Sequence, residues 1–121
     1  MNITHSYLLA TRPPEILCFS GAVTTVSIYL PGPGSQAGDG FPMPRRGILT
    51  RLDVWDGTTL RSDTDEISFN IGDRISLFCQ STGSNFTVRV RVNGTSTNLQ
   101  VTSVPYNTTL FATTEFLLIR E

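Results

Sequence analysis

Phe86-Thr87-Val88-Arg89-Val90-Arg91-Val92-Asn93-Gly94-Thr95-Ser96-Thr97-Asn98-Leu99-Gln100-Val101 is the stretch that decides the fold class. Phe86, Val88, Val90 and Val92 alternate with Thr87, Arg89 and Arg91, the period of a half-buried strand. Asn93-Gly94 follows, a pair favoured in type I′ turns because both central residues take positive φ. A two-residue turn there sets Val88 opposite Leu99 and Phe86 opposite Val101. Arg89 then meets Asn98 and Arg91 meets Ser96 on the other face. Slipping by one residue would set valines against arginines, so pattern and turn together specify one register. The product is a hairpin with one dry face and one wet face.

The same alternation extends upstream. Arg74 to Gln80 places Ile75, Leu77 and Cys79 inward, after a Gly72-Asp73 turn. Glu66 to Asn70 begins a run with Ile67, Phe69 and Ile71 inward. Gly47 to Asp56 puts Ile48, Leu52 and Val54 on one face and Leu49, Arg51, Asp53 and Trp55 on the other, closed by an Asp56-Gly57 turn. Glu15 to Ser20 and Val23 to Leu30 read as two strands or one bent strand. Leu110 to Arg120 differs from all of these. Leu110, Ala112, Phe116 and Leu118 lie on one face, and Phe111, Leu117 and Ile119 on the other, so both faces expect cover. Short strands, frequent turns and no helical period predict an all-β domain, an antiparallel jelly-roll-like β-sandwich. That domain spans 15–121. Residues 1–14 end in Pro13-Pro14 and read as an extended N-terminal arm. Residues 31–46, rich in Pro and Gly, form a long loop of the kind that serves function or bridging.

Composition narrows the function. The chain has 121 residues, enough for one domain, and a net charge of −1 with no basic run, which argues against a phosphate backbone as partner. All nine basic residues are Arg, so Schiff-base lysines and P-loop phosphate binding are excluded. Cys18 and Cys79 lack CxxC spacing and sit in strand-like runs, which reads as two buried reduced thiols. Met1 to Tyr7 has no basic region followed by an apolar core, so no signal peptide is expected, and no apolar run approaches membrane-spanning length.

Catalytic groups are sparse. His5 is the only histidine, so a triad would need its base on the arm. Asp63-Thr64-Asp65-Glu66 could chelate Ca²⁺ but lacks the spaced ligands of an EF-hand, and reads as a solvated turn blunting a strand edge. Asn-X-Ser/Thr sequons at Asn2, Asn85, Asn93 and Asn107 read as chance in a Thr-rich sequence. No enzyme, metal or cofactor is expected.

From Arg45 to Asn98 the chain runs Arg46-Gly47-Ile48-Leu49-Thr50-Arg51-Leu52-Asp53-Val54, then Asn70-Ile71-Gly72-Asp73-Arg74-Ile75-Ser76-Leu77, then Thr87-Val88-Arg89-Val90-Arg91-Val92-Asn93-Gly94. This resembles small jelly-roll domains, many of them trimeric, of tailed-phage virions: head decoration, cement or fibre-tip modules. Similar Gly-Asp turns occur in trimeric C1q-like and tumour-necrosis-factor-like folds. The resemblance implies a bacteriophage structural protein located in the virion, made in the host cytoplasm, and transfers no functional residue.

Two functions follow as expectations. The first is a capsid decoration or cement protein, a homotrimer joined through Phe111, Leu117, Ile119 and Phe78. Its arm, through Tyr7, Leu8, Leu9 and Arg12, would reach a neighbour or the major capsid protein. The second is a glycan- or receptor-binding module of a tail fibre or lectin-like protein, with Trp55, Asp53 and Arg51 as the contact. Neither function involves nucleic acid or a membrane.

Overall fold

The computed structural model describes residues 14–33, 38 and 40–119. Among these residues nine strands follow one another: β1 Glu15–Ala22, β2 Ile28–Tyr29, β3 Phe41–Pro42, β4 Gly47–Trp55, β5 Leu60–Phe69, β6 Arg74–Ser81, β7 Phe86–Val92, β8 Thr95–Val104 and β9 Thr109–Leu118. They form two antiparallel sheets packed against each other. The first has the order β1-β9-β4-β5; the second has β2-β6-β7-β8, with β3 also paired to β6. The last strand returns to lie between β1 and β4. By contrast, β4–β5 and β6–β7–β8 are hairpin-connected within their own sheets.

The space between the sheets is filled by side chains at alternate positions. Leu17 and Phe19 come from β1, Leu49, Leu52 and Val54 from β4, and Ile75, Leu77 and Cys79 from β6. Val88, Val90, Leu99 and Val101 complete the centre, with Leu110, Ala112, Phe116 and Leu118 from β9. Strands β1, β6, β7 and β9 therefore turn their alternate apolar residues toward the other sheet, as the sequence requires.

The hairpin forms where its turn residues demand it: Asn93 has φ 52° and Gly94 φ 80°. Arg91 pairs with Ser96 as expected. Farther from the turn the register moves, and Arg89 meets Gln100 instead of Asn98, while Val88 meets Val101 instead of Leu99. The cause is Thr97, whose hydroxyl donates to the Val90 carbonyl at 2.8 Å and accepts from the Leu99 N–H at 3.2 Å. A second irregularity, at Ser103 with φ 61°, brings Phe86 opposite Val104 instead of Val101. The first shift is by two residues, so apolar side chains still meet apolar ones.

A bulge also corrects the faces of β4. The pairing shifts between Leu49 and Arg51, where Thr50 donates to both the backbone and side-chain oxygens of Glu115 at 3.3 and 3.2 Å. One extra residue flips everything before it, so Leu49 enters the core and Ile48 turns outward, the reverse of plain alternation. Gly47 sits just before this bulge. A Cβ there would stand 2.2 Å from the Leu117 carbonyl oxygen and 2.7 Å from the Phe69 ring, so only glycine fits.

Three other expectations change. Asp63 to Glu66 is not a turn but part of edge strand β5, where the Asp63 carboxylate accepts the Gln100 N–H at 3.0 Å. Ile71 lies in the turn before β6 and is 72% exposed, not inward. The Pro/Gly-rich loop is anchored at its far end, where β3 pairs with β6 and Met43 is buried. Met43 donates to the Asp73 carbonyl and its own carbonyl accepts from Gly72 N–H, at 2.9 and 2.8 Å.

Candidate binding surface

Odd-numbered β9 residues point away from the core, and their neighbours on β1, β4 and β5 join them on the outer face of the first sheet. Phe111 is opposite Ser20 on one side and Trp55 on the other, and Trp55 is opposite Leu60. Leu60, Trp55 and Phe111 thus form one row across three strands. Their relative exposures of 58%, 41% and 55% make this the main concentration of large apolar surface among the described residues. Beneath the row lies a groove of about 420 Å³ bounded by Cys18, Pro31, Gly32, Asp53 and Thr113 as well. Isolated exposed hydrophobes need no explanation, but three in register make a contiguous patch.

The next row inward along the strands is polar. Asp53 lies between Thr113 and Ser62. Arg51 Nε donates to both Asp53 carboxylate oxygens at 3.0 Å, and its Nη2 reaches Ser62 Oγ at 3.3 Å. Ser62 Oγ in turn donates to Asp53. The carboxylate is therefore saturated by its own neighbours, which holds the floor beside Trp55 rigid.

Trp55 owes its position to the turn that follows. Asp56 is buried and accepts from the Thr58 and Thr59 backbone N–H groups at 2.9 and 2.8 Å, from the Thr58 hydroxyl and from Arg61. The Thr59 bond, then the Thr58 bond, hold its carboxyl well below the usual carboxylate range. This Asx turn joins β4 to β5 and places Leu60 directly beside Trp55.

The residues expected to join subunits do not share one surface. Phe111 is exposed. Leu117 on β9 and Ile119 just past its end are only 1% and 4% exposed and are closed off with Ile48 inside the single chain, outside the main core. They have no surface left for a neighbour, which corrects that expectation. Phe78 is on the opposite sheet from Trp55 and Phe111. There it packs against Tyr29 with ring centroids 4.7 Å apart, and the Arg91 guanidinium lies 4.0 Å above its ring. Trp55, Asp53 and Arg51, the residues of the glycan expectation, share the outer face of β4, with Asp53 between the other two. Tyr7, Leu8, Leu9, Arg12 and His5 lie outside the described residues.

Cys18 also departs from expectation. It alternates with the core residues Leu17 and Phe19, so it points outward and lines the groove, while Cys79 is buried and its thiol is pushed up to about 12 by that burial. Sequence reading missed Leu60, because its place beside Trp55 comes from the tight Asp56 turn. The dipeptide Asp56-Gly57 was the available signal. No group of three potential metal ligands occurs among the described residues, and no helix there is long and apolar enough to cross a membrane. No family model, curated protein or solved structure matches the chain.

Proposed function

We propose that the chain is a non-enzymatic structural protein that works by association through the outer face of the first sheet. The observation that carries this is the row of Leu60, Trp55 and Phe111. Aromatic side chains about half exposed on a rigid sheet supply contact area with little ordering cost, and such residues dominate association energies. In its most concrete form the protein is a decoration or cement subunit on a phage capsid, assembling as a homotrimer and binding the shell. The trimer then rests on Phe111 with Trp55 and Leu60. The fold in this reading is a β-sandwich, jelly-roll-like where β9 inserts between β1 and β4; the within-sheet hairpins limit the likeness to that part. Sedimentation velocity on wild type and Phe111→Asp is the test. The wild type is expected to associate at micromolar concentration and the variant to remain a folded monomer. A monomeric wild type would sink the reading.

A second reading draws on one specific observation: the groove places Trp55 and Phe111 beside the Asp53–Arg51–Ser62 network. An aromatic platform with a fixed polar edge suits a sugar ring, making a glycan- or receptor-binding module. Asp53 already has its bonds filled, which favours the first reading. Screening the protein on a glycan array separates the two, because only the second predicts binding lost in Trp55→Ala.

A further inference from the structure

The two sheets carry opposite charge. Strands β6, β7 and β8 contain Arg74, Arg89 and Arg91 and no carboxylate, and β2 and β3 contain no charged residue. The four strands of the first sheet contain six carboxylates against two arginines; Asp53, Glu66 and Glu115 lie on its outer face with Arg51, while Glu15, Asp63, Asp65 and Arg61 alternate to the core side. The chain as a whole is nearly neutral, at −1, so this is segregation and not excess. In the second sheet the arginines alternate with Ile75, Val88 and Val90, which are core residues, so all three lie on the outer face.

Two of these arginines are placed for recognition. Arg91 is held in position: its Nη1 donates to the Tyr29 hydroxyl at 2.7 Å, its Nε to Ser96 at 3.2 Å, and it stacks on Phe78. Arg89 has no such engagement, and its buried Nε lacks any hydrogen-bond partner. A guanidinium nitrogen withdrawn from water and left unpaired is costly.

We infer that copies of this chain associate head to tail, the Trp55–Phe111 face of one docking on the Arg89–Arg91 face of the next. This deepens the association reading above and rests on it. Charge selects the arrangement. Facing two first sheets would oppose carboxylates to carboxylates, and facing two second sheets would oppose arginines to arginines. Only unlike faces are complementary. The aromatic row also offers ring faces to the arginines, and Glu115 lies farther along the same face, opposite Arg51. Such a contact is heterologous, which is what a closed trimer requires; it forms a ring if the rotation closes and an open row otherwise.

The experiment uses two variants, each disabling one face: Phe111→Asp and Arg89→Glu. The Arg89 Nε bonds nothing within the domain and the side chain lies on the outer face, so the fold is expected to tolerate its reversal, which circular dichroism checks. Each variant alone is expected to sediment as a monomer, with apparent affinity reduced at least 10-fold. Mixed one to one, they are expected to form a two-chain complex, because each retains the face the other needs. Association of wild type should weaken as salt rises. If Arg89→Glu assembles like wild type while Phe111→Asp does not, the contact is self-facing; the inference falls and the association reading stands. Two folded monomers that stay separate when mixed also overturn it. A monomeric wild type overturns both.

Discussion

Replacing Gly47 with alanine tests the account of how β4 is held. Gly47 lies in the middle of its sheet, opposite Phe69 on one side and Leu118 on the other. Its backbone is not in the left-handed region, so the substitution adds volume without adding conformational strain. The new Cβ would meet the Leu117 carbonyl oxygen at 2.2 Å and the Phe69 ring at 2.7 Å. Side chains can rotate away, but the carbonyl belongs to a strand bonded on both flanks. Overpacking typically costs about 1–3 kcal/mol, and a backbone obstacle puts this case at or above the upper end. For a domain of this size that corresponds to a fall in melting temperature of roughly 10 °C or more. Gly57→Ala is the control: its φ is 99° with nothing within 4 Å of the added carbon, so only conformational strain applies, costing about 1–2 kcal/mol. Adding Phe69→Leu to Gly47→Ala should recover part of the loss and not all, since the carbonyl remains. Urea unfolding followed by circular dichroism measures all four proteins. A Gly47→Ala variant within about 0.5 kcal/mol of wild type would refute the argument.

Further outcomes follow from the turns and thiols. Asn93→Ala removes bonds to the Arg74 N–H and to Asp73, and puts a Cβ-bearing residue without a polar side chain at φ 52°, so stability should fall by about 1–2 kcal/mol in denaturant melts. Asp56 and Asp73 both titrate below the ordinary value of 3.8 in the folded chain, Asp73 through the Asn70 N–H and then Asn93. A depressed folded pKa gives stability that is present at neutral pH and declines as pH drops below about 4. Asp56→Asn should therefore be less stable than wild type at pH 7, with the gap closing in acid; a gap constant with pH would contradict this. Mass spectrometry after maleimide treatment should find one adduct on the native protein, at Cys18, and two after unfolding. Melting should not respond to reducing agent, and two rapid native adducts would show Cys79 to be accessible.

Much of the fold was legible from the chain itself because strand signals are local. The alternation of Phe86, Val88, Val90 and Val92, and the positive φ required at Asn93-Gly94, depend on neighbours in sequence, and the hairpin forms there. The inward sets of β6 and β9 were readable for the same reason. The Trp55–Asp53–Arg51 group was legible too, because residues two apart on a strand share a face.

What alternation determined was which residues could face inward together; what only the tertiary structure decided was where that count is interrupted and which surfaces end up adjacent. A bulge adds one residue, and nothing in Leu49-Thr50-Arg51 announces it, because its cause is Glu115, 65 positions away in sequence. The same holds for Thr97, whose bulge-like bonds turn a plain two-residue hairpin register into a shifted one. Cys18 and Cys79 both lie in apolar strand runs, yet one faces the groove and the other the core. Phe111 and Leu117 share a face of β9, but Phe111 stays open beside Trp55 while Leu117 is closed off beside Ile48. Periodicity assigns a side to each residue; only the packing of distant segments determines whether that side meets solvent, and so which residues remain available to bind.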